Sequence, residues 1–278
     1  MHLRPYLLFV CTLALLSGTS SAAEEADAPA ADEPPAASER TQLPSRSSLQ
    51  EAALRRGLDS DELRQLEAGD DRFLGLFLPA ARPSPLGGIL LVADRGEHAD
   101  APRLIAASRR QLSDAGWHTL SISLPDSLSN LDTLDEAERE VAEQAHAELI
   151  RQRLRQAWLA LQAEGAEEIT LLGQGEAAWW VLRTAGQDSS DQVLRNVVLV
   201  DPRAAAQGEP LHRLLEAWDK PLLEIHSRSN PDAEALRRQT REARRLGRGD
   251  SYKQVQHPLT PNQPESSLIR RIAGWLKG

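Results

Sequence analysis

From residue 73 to the C-terminus, short continuous apolar runs alternate with longer stretches whose apolar positions recur every three to four residues. The runs at 73–78, 88–92, 117–124, 169–172, 196–200, 221–225 and 251–256 predict strands. The run 88–92 is continuous and apolar, as expected of a strand buried on both faces. Between them the spacing predicts helices over 102–115, 135–164, a stretch through Trp179, Trp180 and Leu182, then 211–218, 232–246 and 266–276. In the long helix the apolar stripe reads Val141, Ala145, Leu149, Leu154, Trp158 and Leu161. Upstream, Ser48 followed by Glu51 predicts a capping box for a short helix starting at Leu49. A second short helix is expected after Asp59, through Leu63 and Leu66. Strands separated by helices of this length predict an α/β domain with a mostly parallel, doubly wound sheet and helices on both faces.

The first 48 residues break this pattern. His2 and Arg4 precede an apolar stretch from Tyr6 to Leu16, and small residues through Ala23 complete a secretory leader over 1–23. Residues 24–48 are rich in Ala, Pro, Glu, Asp and Ser and carry too little apolar surface to offset the entropy of ordering, so they read as a disordered linker. The folded domain is expected over 49–278, exported to the periplasm or secreted. No apolar run approaches the ~20 residues of a spanning helix, so no transmembrane segment is expected once the leader is removed. The one cysteine, Cys11, lies in the leader. A mature chain without cysteine excludes a disulfide scaffold, a thiol nucleophile and a thiolate metal site. With 41 acidic against 32 basic residues and a formal net charge of −9, the chain lacks the basic footprint of a nucleic-acid binder.

In a doubly wound sheet the chemistry belongs beyond the carboxyl ends of the strands. After the run 169–172 the chain reads Gly173-Gln174-Gly175-Glu176-Ala177-Ala178. This is the place and shape of a G-x-S-x-G strand-to-helix elbow, with glycine where the nucleophilic serine would stand. Glu176 then falls in the first turn of the next helix, where a carboxylate suits the helix dipole and is also a possible general base. After the run 88–92 comes Ala93-Asp94-Arg95-Gly96-Glu97-His98. Asp94 there opposes an oxyanion with like charge, where a hydrolase needs donors. It is alternatively a partner of Arg95 or a helix cap, and the cluster Asp94, Glu97, His98 is a weak metal candidate. Asp232 stands at the triad-acid place but also reads as a helix N-cap, and His257 stands where the triad base would lie. Gly175, Asp232 and His257 are therefore degenerate triad positions; Asp94, Arg95, Gln174 and His257 are the candidate binding residues. No metal site or cofactor is implied. Arg237, Arg241, Arg244, Arg245 and Arg248 repeat along one helix, either as a solvated face or as a surface for an anionic partner.

Gly116-Trp117-His118-Thr119-Leu120-Ser121 leading to Leu124-Pro125, and the ending Ile272-Ala273-Gly274-Trp275-Leu276-Lys277, resemble a family of exported bacterial α/β-hydrolase-like proteins. The resemblance spans 49–278 and implies the α/β-hydrolase fold and the envelope of a Gram-negative bacterium. With the nucleophile replaced by Gly175 and the oxyanion loop by Ala93-Asp94, the expectation is a pseudoenzyme, a non-catalytic binding or interaction module for a small molecule or an envelope component. The alternative is an active esterase or acyl hydrolase using water activated by Glu176 or His257, or attack by Ser227 or Ser229.

Overall fold

The computed structural model describes residues 44–206, 208–227, 232–259 and 265–278. The leader and most of the linker, together with Ser229, lie outside them. The described residues build an eight-stranded sheet in the order β1-β2-β4-β3-β5-β6-β7-β8. Its strands are β1 (Leu63–Ala68), β2 (Asp71–Leu78), β3 (Gly88–Val92), β4 (His118–Ile122), β5 (Ile169–Gln174), β6 (Leu194–Val200), β7 (Leu222–His226) and β8 (Tyr252–Gln256). Pairings from β4 through β8 are parallel, while β1–β2 and β2–β4 are antiparallel. The helices are α1 (Arg46–Gly57), α2 (Leu104–Asp114), α3 (Glu136–Ala163), α4 (Glu176–Gln187), α5 (Leu211–Leu214), α6 (Ala233–Arg245) and α7 (Ser266–Lys277).

Alternation along the central strands divides the core in two. Leu90 and Val92 of β3 face a layer containing Leu154, Trp158 and Leu161 of α3 and Trp179 and Leu182 of α4. Ile89 and Leu91 face the other side, with Ile105 and Leu112 of α2 and Leu268, Ile269 and Ile272 of α7. Burial on both sides is why β3 is apolar along its whole length. Gly88 and Gly173 carry no side chain where neighbours press closest: a Cβ on Gly173 would meet the backbone of Ala177 and Ala178 at 2.6–2.7 Å.

Three local expectations are corrected. The segment after Asp59 forms one 3-10 turn, Ser60–Glu62, and then strand β1 rather than a helix. Leu63 and Leu66 fit a helical spacing, but residues 63–68 pair in register with 71–76 across the Gly69-Asp70 turn. Helix α1 is capped by the Ser45 hydroxyl, which accepts the Ser48 N–H, so it starts earlier than the Ser48 box implied. In α3 the buried stripe is Ile150, Arg153, Leu154, Ala157, Trp158 and Leu161. Its N-terminal half reaches past the sheet, leaving Val141 67% exposed and Ala145 and Leu149 outside the core.

Candidate functional site

The order in which strands are added to the sheet reverses at β3: β4 lies on one side and β5 on the other, with Val92 opposite Gly173. The loops leaving β3 and β5 consequently meet at the switch point, where doubly wound sheets hold their ligands. Gly175 is the tip of the β5–α4 turn, with φ +62° and ψ −124°, a conformation that L side chains rarely adopt. Its N–H donates to Val200 O at 2.9 Å and its carbonyl accepts from Arg203 N at 3.0 Å. The turn is thus fixed to the end of β6 from both directions. The result is a tight strand-to-helix turn whose tip carries no side chain.

The space over Gly175 is taken by Asp94. A Cβ placed on Gly175 would collide with the carboxyl carbon and both oxygens of Asp94. Oδ1 of Asp94 accepts the Arg95 N–H at 2.7 Å and the Glu176 N–H at 2.8 Å, and Oδ2 pairs with the Arg203 guanidinium. Neither sequence reading of Asp94 describes what the structure shows: it does not cap the next helix, α2, but accepts an N–H from the first turn of α4, and its cationic partner is Arg203 rather than the Arg95 side chain. Arg95 instead reaches Glu176, Nε to Oε2 at 3.0 Å, and Trp180 Nε1 donates to Glu176 Oε1 at 3.2 Å. The Glu176 carboxylate, buried in the first turn of α4, is therefore held on both oxygens. Nearby, burial first and then the charge of Asp94 push the Glu97 carboxyl upward.

The side chains at the other two expected triad positions, Asp232 and His257, are each engaged locally. Asp232 caps α6, accepting the Glu234 and Ala235 N–H groups at 2.9 and 3.1 Å, and these bonds hold its carboxyl below the usual range. His257 Nε2 lies 3.0 Å from Ser267 Oγ, and burial lowers its pKa, with Arg271 adding to the effect. No carboxylate among the described residues is hydrogen-bonded to its ring. Ser227 donates its hydroxyl to Asp201, which also accepts the Ser227 N–H at 2.7 Å. Asp201, at φ +48°, is an acid at the end of β6 that sequence reading missed. Gln174, Asp201, Ser227, Glu97 and Arg103 line a crevice of about 560 Å³ on one side of the elbow. Among the described residues no group of three His, Cys, Asp or Glu side chains is arranged to hold a metal ion.

On the other side of the elbow lies a cavity of about 380 Å³. Its floor is the Trp179–Trp180 pair, packed edge to face with centroids 4.8 Å apart. Both indole N–H groups are spent inside the protein, on Glu209 O and Glu176 Oε1, so the cavity meets carbon and π surface. Leu128, Leu131 and Ala205 extend the apolar wall; Arg95, Arg183, Glu143 and His146 rim it. Burial, then Arg95 and Arg153, lower the His146 pKa and favour the neutral ring. Of the predicted binding residues, only Arg95 reaches this cavity. The tryptophans were visible in the sequence as core anchors, but nothing there distinguished an anchor from a wall.

The comparisons with known proteins fit this geometry. The family model described as protein of unknown function, DUF3530, matches residues 5–278. The chain belongs to the DUF3530 family. Among curated proteins none matches. Solved structures similar to this DUF3530 member include Est1E from Butyrivibrio proteoclasticus, at 12% identity and TM-score 0.55, covering 78% of this chain and 96% of that one. A dienelactone hydrolase from Anabaena variabilis aligns at 16% identity and TM-score 0.55, covering 78% and 98%. The Pyrococcus furiosus esterase Pf2001 aligns at 10% identity and TM-score 0.58, covering 77% and 89%. At these identities the likeness shows the α/β-hydrolase fold for this family member, and not an activity.

Proposed function

We propose that this chain is an exported, non-catalytic binding module on an α/β-hydrolase scaffold. The observation that carries the reading is Gly175, a residue with the backbone of a nucleophile elbow and no side chain to attack with. The surrounding groups agree. His257 faces Ser267 rather than an acid, Glu176 is held by Arg95 and Trp180, and the Ser227 hydroxyl is engaged by Asp201. None of these is placed as a free base or nucleophile. The ligand space is the cavity over Trp179 and Trp180, in the crevice where such sheets bind small molecules.

The test uses the mature chain from Glu24 with a serine-reactive fluorophosphonate and a panel of short and long acyl esters. No labelling and no turnover above buffer are expected. Labelling that disappears in His257→Ala would overturn the non-catalytic reading. A second face of the protein supports an interaction role. Arg237, Arg241 and Arg244 line one groove with Gln254 and Gln256. Arg248 and Arg245, predicted to share that face, turn to Glu216 instead. We infer an anionic partner at the three-arginine groove.

A further inference from the structure

The Asp94 carboxylate rests on two particular N–H groups. One belongs to Glu176, the residue after the elbow tip, and the other to Arg95, in the loop after β3. In the hydrolase elbow these two backbone positions, the residue following the nucleophile and the loop after the third strand, donate to the oxyanion of the tetrahedral intermediate. Here both donate to one oxygen, Asp94 Oδ1. The second oxygen takes the guanidinium of Arg203, whose own backbone N–H holds the elbow carbonyl. The carboxylate also covers the point at which a side chain on Gly175 would begin.

We propose that Asp94 is an internal oxyanion surrogate: its carboxylate permanently fills the oxyanion cradle and the nucleophile's space together, so that the elbow is a carboxylate-binding site supplied with its own ligand. Two oxygens are satisfied by three donors from three separate loops, after β3, β5 and β6. A negative charge that would defeat an oxyanion hole is, with no oxyanion to form, the charge that the donors need. Glycine at 175 and aspartate at 94 are then one coupled change rather than two losses, because either alone leaves a collision or an unfilled cradle. The wild-type elbow accepts no carbonyl or carboxylate from solution. Truncating Asp94 opens a site for a small planar monocarboxylate, with formate and acetate as the smallest members of that class.

The inference rests on the non-catalytic reading of the elbow, and its test separates the two. Thermal unfolding is measured for wild type, Asp94→Ala, Gly175→Ser and the double variant, with sodium formate, sodium acetate or sodium chloride at matched ionic strength. Asp94→Ala is expected to lower Tm by about 3–6 °C, given about 2–4 °C per kcal/mol at this size. Formate should restore at least about half of that loss in a saturable manner, and chloride should not. Arg203→Gln in the Asp94→Ala background should remove the formate response. Gly175→Ser should cost at least about 3 °C less when Asp94 is already alanine, since backbone strain at 175 is common to both backgrounds and only the collision is relieved. If Gly175→Ser does not fold alone, the formate titration of Asp94→Ala decides by itself. Absence of a formate-specific rise, or additive Tm losses across the cycle, would overturn the proposal while leaving the wild-type elbow silent. Fluorophosphonate labelling of wild type that disappears in His257→Ala would end the non-catalytic reading whatever the formate result.

Discussion

At the scale of single residues, two glycines two positions apart do different work. Gly175 is required by its backbone angles, Gly173 by contact. The N-terminus of α4 sits on β5 so closely that a methyl at 173 would meet the Ala178 N and Cα and the Ala177 carbonyl. Backbone cannot yield there without moving the elbow. Gly173→Ala is therefore expected to destabilise by about 2–3 kcal/mol, the upper part of the range for an overpacked core position, read as a lower midpoint at unchanged slope in urea unfolding. A variant within a few tenths of wild type would show that α4 can lift off the strand. The sequence displayed this turn through Gly173-Gln174-Gly175 after an apolar run, because glycine and strand signals are local. Asp94 over Gly175 was beyond its reach. The two residues are 81 positions apart, and only the parallel register of β3 with β5 brings their loops together. Arg203 was missed for the same reason, although its place just beyond the end of β6 marks it as a residue of the same crevice.

Elements were legible where burial acts on both faces and less so at the margins. Strands β3 to β7 sit between two helix layers, so their sequences are rich in apolar residues, and β3 is an unbroken apolar run. Strand β1 lies at the sheet edge with mixed burial, and its identity comes from pairing with β2. A helical spacing of two leucines could not outweigh that ladder. Helix α3 shows the opposite limit, since its second half follows the expected stripe while its first half has no sheet beneath it. One feature of α3 escaped an apolar pattern altogether: Arg153 is buried in the stripe, 2.8 Å from Asp71 at the start of β2 and stacked over Phe73 at 4.9 Å. This pair joins α3 to the antiparallel edge of the sheet. Removing Asp71 strands a cation that is almost wholly enclosed, so Asp71→Ala is expected to cost about 2–3 kcal/mol, toward the lower end for a broken buried pair because Asp71 keeps some solvent. Arg153→Met in the same chain should recover at least half of that loss, since methionine fills the guanidinium's channel without a charge. Additive losses in calorimetry would mean that the pair contributes packing and no electrostatic coupling.

For the whole molecule the question is how a chain of net charge −9 would meet an anionic partner. Distance and screening decide it. At physiological ionic strength charges more than about 8 Å apart are largely screened, so a surface in contact with α6 feels the groove rather than the sum over the protein. Two neighbouring cations are neutralised at close range, Arg245 by Glu242 and Glu216 and Arg238 by Glu234, while Arg248 donates to the Glu216 carbonyl. Arg237, Arg241 and Arg244 are exposed and have no carboxylate partner among the described residues. Each such cation held near an anionic membrane contributes about 1 kcal/mol. Three of them give measurable but modest attachment, opposed by the acidic remainder as the Debye length grows. The expected signature is retention on vesicles with one-third anionic phospholipid at low salt, falling steeply toward ~0.5 M, with no retention on neutral vesicles. Arg241→Glu with Arg244→Glu should weaken it at least about tenfold, while reversal of Arg238, already paired, should change it little. Equal retention of the 241/244 double variant and wild type would remove the groove from the interaction and leave the arginines as a solvated face.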